Sequence, residues 1–195
     1  MLKTWVLWLV LNVAAVSLLA ASGSVQIADL PERLQPTIGK LEVGAKRLTD
    51  RRYEITVVPE ELRGLTYVTI ARGDLKRPAG EYVFTVDQPV TVYLAMQDRG
   101  NPTPPEGWER TFLRLGFRVE VGGGDIRRYD DIVWKRDFPA GKVEIPGHDG
   151  TDGISFGLPN MAILAPRTAS ATTTNPITAP TTASNSNPAH GKVIR

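Results

Sequence analysis

The 195-residue chain contains no cysteine. Disulfides, thiolate metal sites and thiol redox chemistry are excluded, so the fold must stand on its apolar core. Histidine is scarce, with His148 in a glycine-rich turn and His190 in a low-complexity tail. Neither position suggests an acid–base pair. No H-E-x-x-H helix or P-loop occurs, and no G-x-S-x-G nucleophile elbow is expected. Amphipathic helices of useful length are missing too. After the first two dozen residues no apolar run is long enough to span a bilayer.

A strong charge of one sign is also lacking. The chain has 23 Lys and Arg against 21 Asp and Glu. Lys3, Arg167, Lys192 and Arg195 lie at the ends, which leaves 19 bases against 21 acids in the central region, a formal charge of −2. That is a poor footprint for a phosphate backbone, so no nucleic-acid partner is expected. Basic pairs such as Arg51-Arg52 and Arg127-Arg128 have acids nearby and read as solvated faces.

The ends carry what the middle lacks. Residues 1–22 combine Lys3, a long apolar run and the small residues Ala20-Ala21-Ser22, the layout of a secretory signal peptide. The competing reading is an uncleaved anchor, since residues 4–21 are close to the minimum spanning length of about 18 residues. Cleavage is expected because small residues close the run and no cationic stop follows. The expected address is secreted or cell envelope, with no membrane contact after cleavage. From 167 to 195 the chain is Thr, Ser, Ala, Asn and Pro with almost nothing to bury, a composition expected to be disordered. Between these ends lie a short lead-in (23–37) and one domain (38–166).

That domain reads as strand, turn, strand. In EYVFTV, Tyr82, Phe84 and Val86 share a face; in VTVYLAMQ, Val90, Val92, Leu94 and Met96 do, with Tyr93 and Ala95 opposite. Tyr53, Ile55 and Val57 alternate in the same way. Gly- and Pro-rich turns separate the segments, among them Gly122-Gly123-Gly124 and Pro139-Ala140-Gly141. The fold expected is all-β, an antiparallel, jelly-roll-like β-sandwich. Two stretches, ADLPERL and EGWERTFL, are expected to form helical turns.

Four pieces occur in order: LTDRRYEITVVPEELRGLTYV, VTVYLAMQDR followed by PEGW, YDDIVWKRDFPAGKVEIPG, and FGLPNMAILAP. Together they resemble a β-sandwich accessory module of secreted bacterial proteins, often found beside carbohydrate-binding or polysaccharide-degrading domains. The resemblance covers roughly residues 38–165 and implies a carbohydrate-associated, non-enzymatic role. Two positions depart from the pattern. Gln97 stands where an aromatic is usual, and Ala162 where a tyrosine is.

The candidate ligand-binding residues are Trp108, Asp98, Arg99 and Tyr93. An exposed indole stacks on sugar rings, whereas a buried Trp108 would close one end of the sandwich. Asp98 and Arg99 could meet sugar hydroxyls, or could serve a strand corner, with Asp98 holding loop N–H groups and Arg99 an acid. A second such pair, Asp50-Arg51, favours the corner. Trp134 is expected in the core. Asp149 and Asp152 in GHDGTDG hint at calcium but match no known loop spacing, so no metal or cofactor is expected. Glycosidase chemistry would need two facing carboxylates, which Glu106, Glu109 and Asp98 could supply only if they converge. The reading is thus an exported, non-enzymatic module that binds, or supports the binding of, an extracellular polymer, foremost polysaccharide. The alternatives are a structural or protein-interaction domain of the envelope, and a hydrolase or lyase.

Overall fold

The structure, a computed structural model, describes residues 24–167 apart from 122. The expected signal peptide, the tail beyond Arg167 and the first residue of the triple glycine lie outside the described residues. Among the described residues, helix is confined to two 3-10 turns, Glu32–Leu34 and Glu60–Leu62. The strands are β1 (Ile27–Ala28), β2 (Thr37–Lys40), β3 (Tyr53–Val57), β4 (Thr66–Thr69) and β5 (Tyr82–Val86). They continue with β6 (Val90–Gln97), β7 (Glu109–Glu120), β8 (Ile126–Phe138), β9 (Gly141–Ile145) and β10 (Met161–Pro166). All pairings are antiparallel, in a small sheet β1-β5-β9 and a large sheet β2-β4-β10-β6-β8-β7-β3. The protein is an all-β sandwich with layers of unequal width. No helix among the described residues is long and apolar enough to cross a membrane.

Period-two patterning builds the first core. Tyr82, Phe84 and Val86 of β5, with Val143 and Ile145 of β9, meet Val90, Val92, Leu94, Ala162 and Leu164 of the large sheet. Val25 packs into this core, and β1 pairs with β5, so the expected lead-in contributes to the fold.

The second core lies on the other face of the large sheet. It gathers Tyr67 from β4 near one edge and Ile55 from β3 at the opposite edge, with Ala95, Phe117, Val133 and Ile163 between them. Residues 41–52 cross from one edge to the other over this face. Near β4, Leu41 N–H donates to Leu65 O and Gly64 N–H to Leu41 O, both at 2.9 Å. Near β3, Gly44 N–H donates to Ile55 O and Arg47 N–H to Tyr53 O, again at 2.9 Å. This strap fully buries Leu41 and Leu48 and covers the edge of β3, which would otherwise offer unpaired backbone. It also accounts for β6, which alternates at its start and is buried on both faces from Leu94 onward.

Two local expectations change. EGWERTFL is not a helical turn: its second half starts β7, whose ladder with β8 satisfies the backbone better than an isolated turn does. Val57 is exposed because a bulge between Ile55 and Val57 turns it outward. Gly116 opposite it leaves the room, since a Cβ there would lie 3.0 Å from the Val57 Cβ.

Candidate functional site

Trp108 is 9% exposed and belongs to the first core, its ring 5.8 Å from that of Phe138. The indole closes the sandwich, and a role as a sugar platform falls away. Tyr93 is half-buried against the second core, on the opposite face of the large sheet, so the two aromatics do not form one surface. Trp134 is half-buried against the first core.

Asp98 and Arg99 leave the end of β6 toward different partners. Asp98 Oδ2 meets Arg114 Nη1 of β7 at 3.2 Å, and Arg99 pairs with Asp152 in the β9–β10 loop. It is Asp50 that holds loop backbone: its carboxylate accepts from Arg72 N–H at 2.9 Å and Gly73 N–H at 3.2 Å. Both Asp-Arg pairs thus bond to neighbouring segments at strand ends, through different partners. Glu106 and Glu109 line separate hollows, and Glu109 is paired with Lys135 at 3.4 Å.

The GHDGTDG loop uses its carboxylates internally. Asp149 accepts from Thr103 N–H at 2.8 Å and Thr103 Oγ1 at 2.5 Å. Asp152 takes Arg99 and the N–H groups of Ile154 and Ser155, and these bonds hold its carboxyl well below the usual range. No group of three or more His, Asp or Glu side chains placed to hold a metal ion occurs among the described residues. His148 is sealed, 1% exposed, with Nε2 at 2.9 Å from Gln97 O and Nδ1 accepting from Gly150 N–H at 3.2 Å. Burial holds it below the usual imidazole range, against the pull of the Gln97 carbonyl. A neutral ring protonated at Nε2 satisfies both contacts. Gly153-Ile154-Ser155-Phe156-Gly157 does spell the G-x-S-x-G pattern, contrary to the expectation that the chain has none. It sits in a loop rather than at a strand-to-helix turn, and both nitrogens of His148 are engaged, so the elbow geometry is missing.

The two departures from the module pattern are both interior. Ala162 is fully buried in the first core. Gln97 is buried, and its Oε1 accepts from Leu158 N–H at 3.1 Å. Neither side chain reaches the surface.

The deepest charges are structural. Arg47 on the strap and Asp131 on β8 are both 0% exposed, joined by Nε–Oδ2 at 2.7 Å and Nη2–Oδ1 at 3.2 Å. Arg47 also donates to Pro159 O at 2.9 Å and lies over the Phe117 ring. Burial pushes the Asp131 carboxyl up, offset in part by the guanidinium.

Concave surface is not confined to these residues: Tyr93 and Glu109 share a hollow of about 420 Å³, and two others lie away from the candidates. An open cleft of about 830 Å³ runs between the strap and the β3–β7–β8 end, around Tyr53, Lys46, Arg51, Arg118 and Glu54. The Tyr53 ring is backed by Phe117 at 6.1 Å. On its rim Arg118 grips Glu54 through Nε at 2.9 Å and Nη2 at 2.5 Å. A smaller hollow of about 360 Å³ lies at the β7 bulge, around Arg110, Phe112 and Arg114. None of the candidate residues Trp108, Asp98, Arg99 and Tyr93 lines either one. The cleft joins residues up to 82 positions apart, from Gly44 to Ile126, and has no local signature. Phe112 has one: it stands between Arg110 and Arg114 on the polar side of an alternating strand.

No protein-family model matches the chain, and no curated protein matches it significantly. Among solved structures it is similar to a β-glucuronidase from glycoside hydrolase family 2, at 18% identity and a TM-score of 0.52. That similarity covers 67% of this chain and 13% of the other. A glycoside hydrolase family 138 enzyme targeting pectin rhamnogalacturonan II aligns at 15% identity and a TM-score of 0.42, over 72% and 16% of the respective chains. The chain thus spans a small part of either enzyme, and the first similarity describes a shared fold.

Proposed function

We propose that the chain is an exported, non-enzymatic β-sandwich module that binds carbohydrate polymer. The observation that carries this reading is the open cleft around Tyr53. An aromatic ring backed by Phe117 offers an apolar face to a sugar ring, and the Arg118–Glu54 pair offers fixed donors and acceptors to its hydroxyls. Fold likeness to part of a β-glucuronidase supports a carbohydrate setting, and the signal-peptide pattern supports a secreted or envelope location. A non-catalytic role is supported by the scatter of Glu106, Glu109 and Asp98 and by the internal use of Asp149, Asp152 and His148.

A polysaccharide pull-down and glycan array with the full chain test the reading, with Tyr53→Ala as control. Retention on at least one polymer, weakened by Tyr53→Ala, is expected. No retention on any polymer would overturn it. The burial of Trp108 favours a second reading, a structural or protein-interaction domain of the envelope, which takes its place in that event.

A further inference from the structure

β7 and β8 fall out of register at one point. Arg110 faces Trp134 and Arg114 faces Ile132, so three residues, 111–113, stand against Val133 alone. Thr111 secures this wide bulge: its hydroxyl donates to Val133 O at 2.7 Å and accepts from Leu113 N–H at 3.1 Å. Two backbone groups displaced from the ladder are thereby satisfied by one side chain. Bulges re-aim side chains, and what this one presents is Phe112, fully exposed.

The surroundings of Phe112 are cationic. Arg110 lies with its guanidinium carbon 6.0 Å from the Trp134 ring centroid and makes no ion pair among the described residues. Arg114 is half-exposed, with one contact to Asp98 and donors to spare. Together with Thr111, Leu113 and Ile132 they line the hollow of about 360 Å³. Small-ligand sites hold roughly 300–1,000 Å³, whereas a stable protein interface needs about 800 Å² on each partner. One phenyl ring between two arginines suits the first scale rather than the second.

We propose that the β7 bulge is a saccharide subsite selective for uronic acid residues, resting on the carbohydrate reading above. The phenyl ring stacks on the C–H face of a pyranose, and Arg110 takes the carboxylate in a two-pronged, charge-assisted contact that neutral sugars cannot make. Arg114 adds a second positive charge at the rim. Ligand exchange here involves no covalent step.

The test measures binding of the full-length chain to alginate, a polyuronate, and to its propylene glycol ester, which keeps the backbone and loses the charge. Alginate is expected to bind at least about tenfold more tightly than the ester, and more weakly as salt is added. Phe112→Ala and Arg110→Gln, both at exposed positions, are each expected to lose about tenfold on alginate with an unchanged melting temperature. Equal binding of acid and ester, or unchanged alginate binding by both variants, overturns the uronate subsite and leaves the carbohydrate reading standing. Retention of the wild-type chain on no polysaccharide at all defeats that reading, and the subsite with it.

Discussion

At the scale of single residues, Trp108 and His148 show how position within a core decides what a side chain can do. Trp108 fills the first core against Phe138, so its removal leaves a cavity that the sheets cannot close. Trp108→Ala is expected to cost about 3–5 kcal/mol in urea unfolding, a stability effect rather than a binding one. His148 is held neutral by burial and by two hydrogen bonds that suit one tautomer. Its folded-state pKa is lowered, so the unfolded chain takes up a proton first as pH falls. Its contribution is therefore complete above about pH 6.5 and is lost progressively below it, down to the lowered folded value. Urea midpoints measured from pH 8 to pH 5 should fall on the acid side, and His148→Gln should flatten that part of the decline. These environments were only partly legible beforehand. The sequence places His148 in a turn, but not the fact that the turn folds inward onto Gln97.

At the scale of elements, the strap of residues 41–52 decides more than any strand. Its Arg47 reaches Asp131, 84 positions away, and that bond pins the strap across the second face. Removing one partner leaves a buried charge unanswered, so Arg47→Ala is expected to cost about 3–5 kcal/mol. Replacing both, as Arg47→Met with Asp131→Leu, should recover most of that loss by the same measurement, because the charges' burial cost disappears together with their attraction. The strands themselves were largely readable: β5 and β6 present the predicted faces, because period-two alternation is a local property of the chain. The start of β7 is not legible in sequence, because a short isolated segment carries no information about the strand that pairs with it. The wide bulge is likewise a property of the β7–β8 register, visible in sequence only as a phenylalanine on the arginine side.

At the scale of the whole molecule, two cores share one sheet, the first covered by β1-β5-β9 and the second by the strap. Residues on opposite faces of β6 and β10 belong to different cores, so neither core can come apart without exposing the backbone that supports the other. Unfolding is expected to be a single transition. Trp108 and Trp134 report the first core, Tyr67 and Phe117 the second; coincident fluorescence and far-UV circular dichroism curves would bear this out, and separated midpoints would refute it. What the sequence by itself determined is a cysteine-free, nearly neutral, all-β chain with its strands and many of its inward faces, since composition and alternation act over a few residues. What only the tertiary structure decided is which side chains reach water. That depends on which sheet face the small sheet and the strap cover, through contacts tens of residues apart, and it places Trp108 inside while leaving Tyr53 in a cleft and Phe112 in solvent.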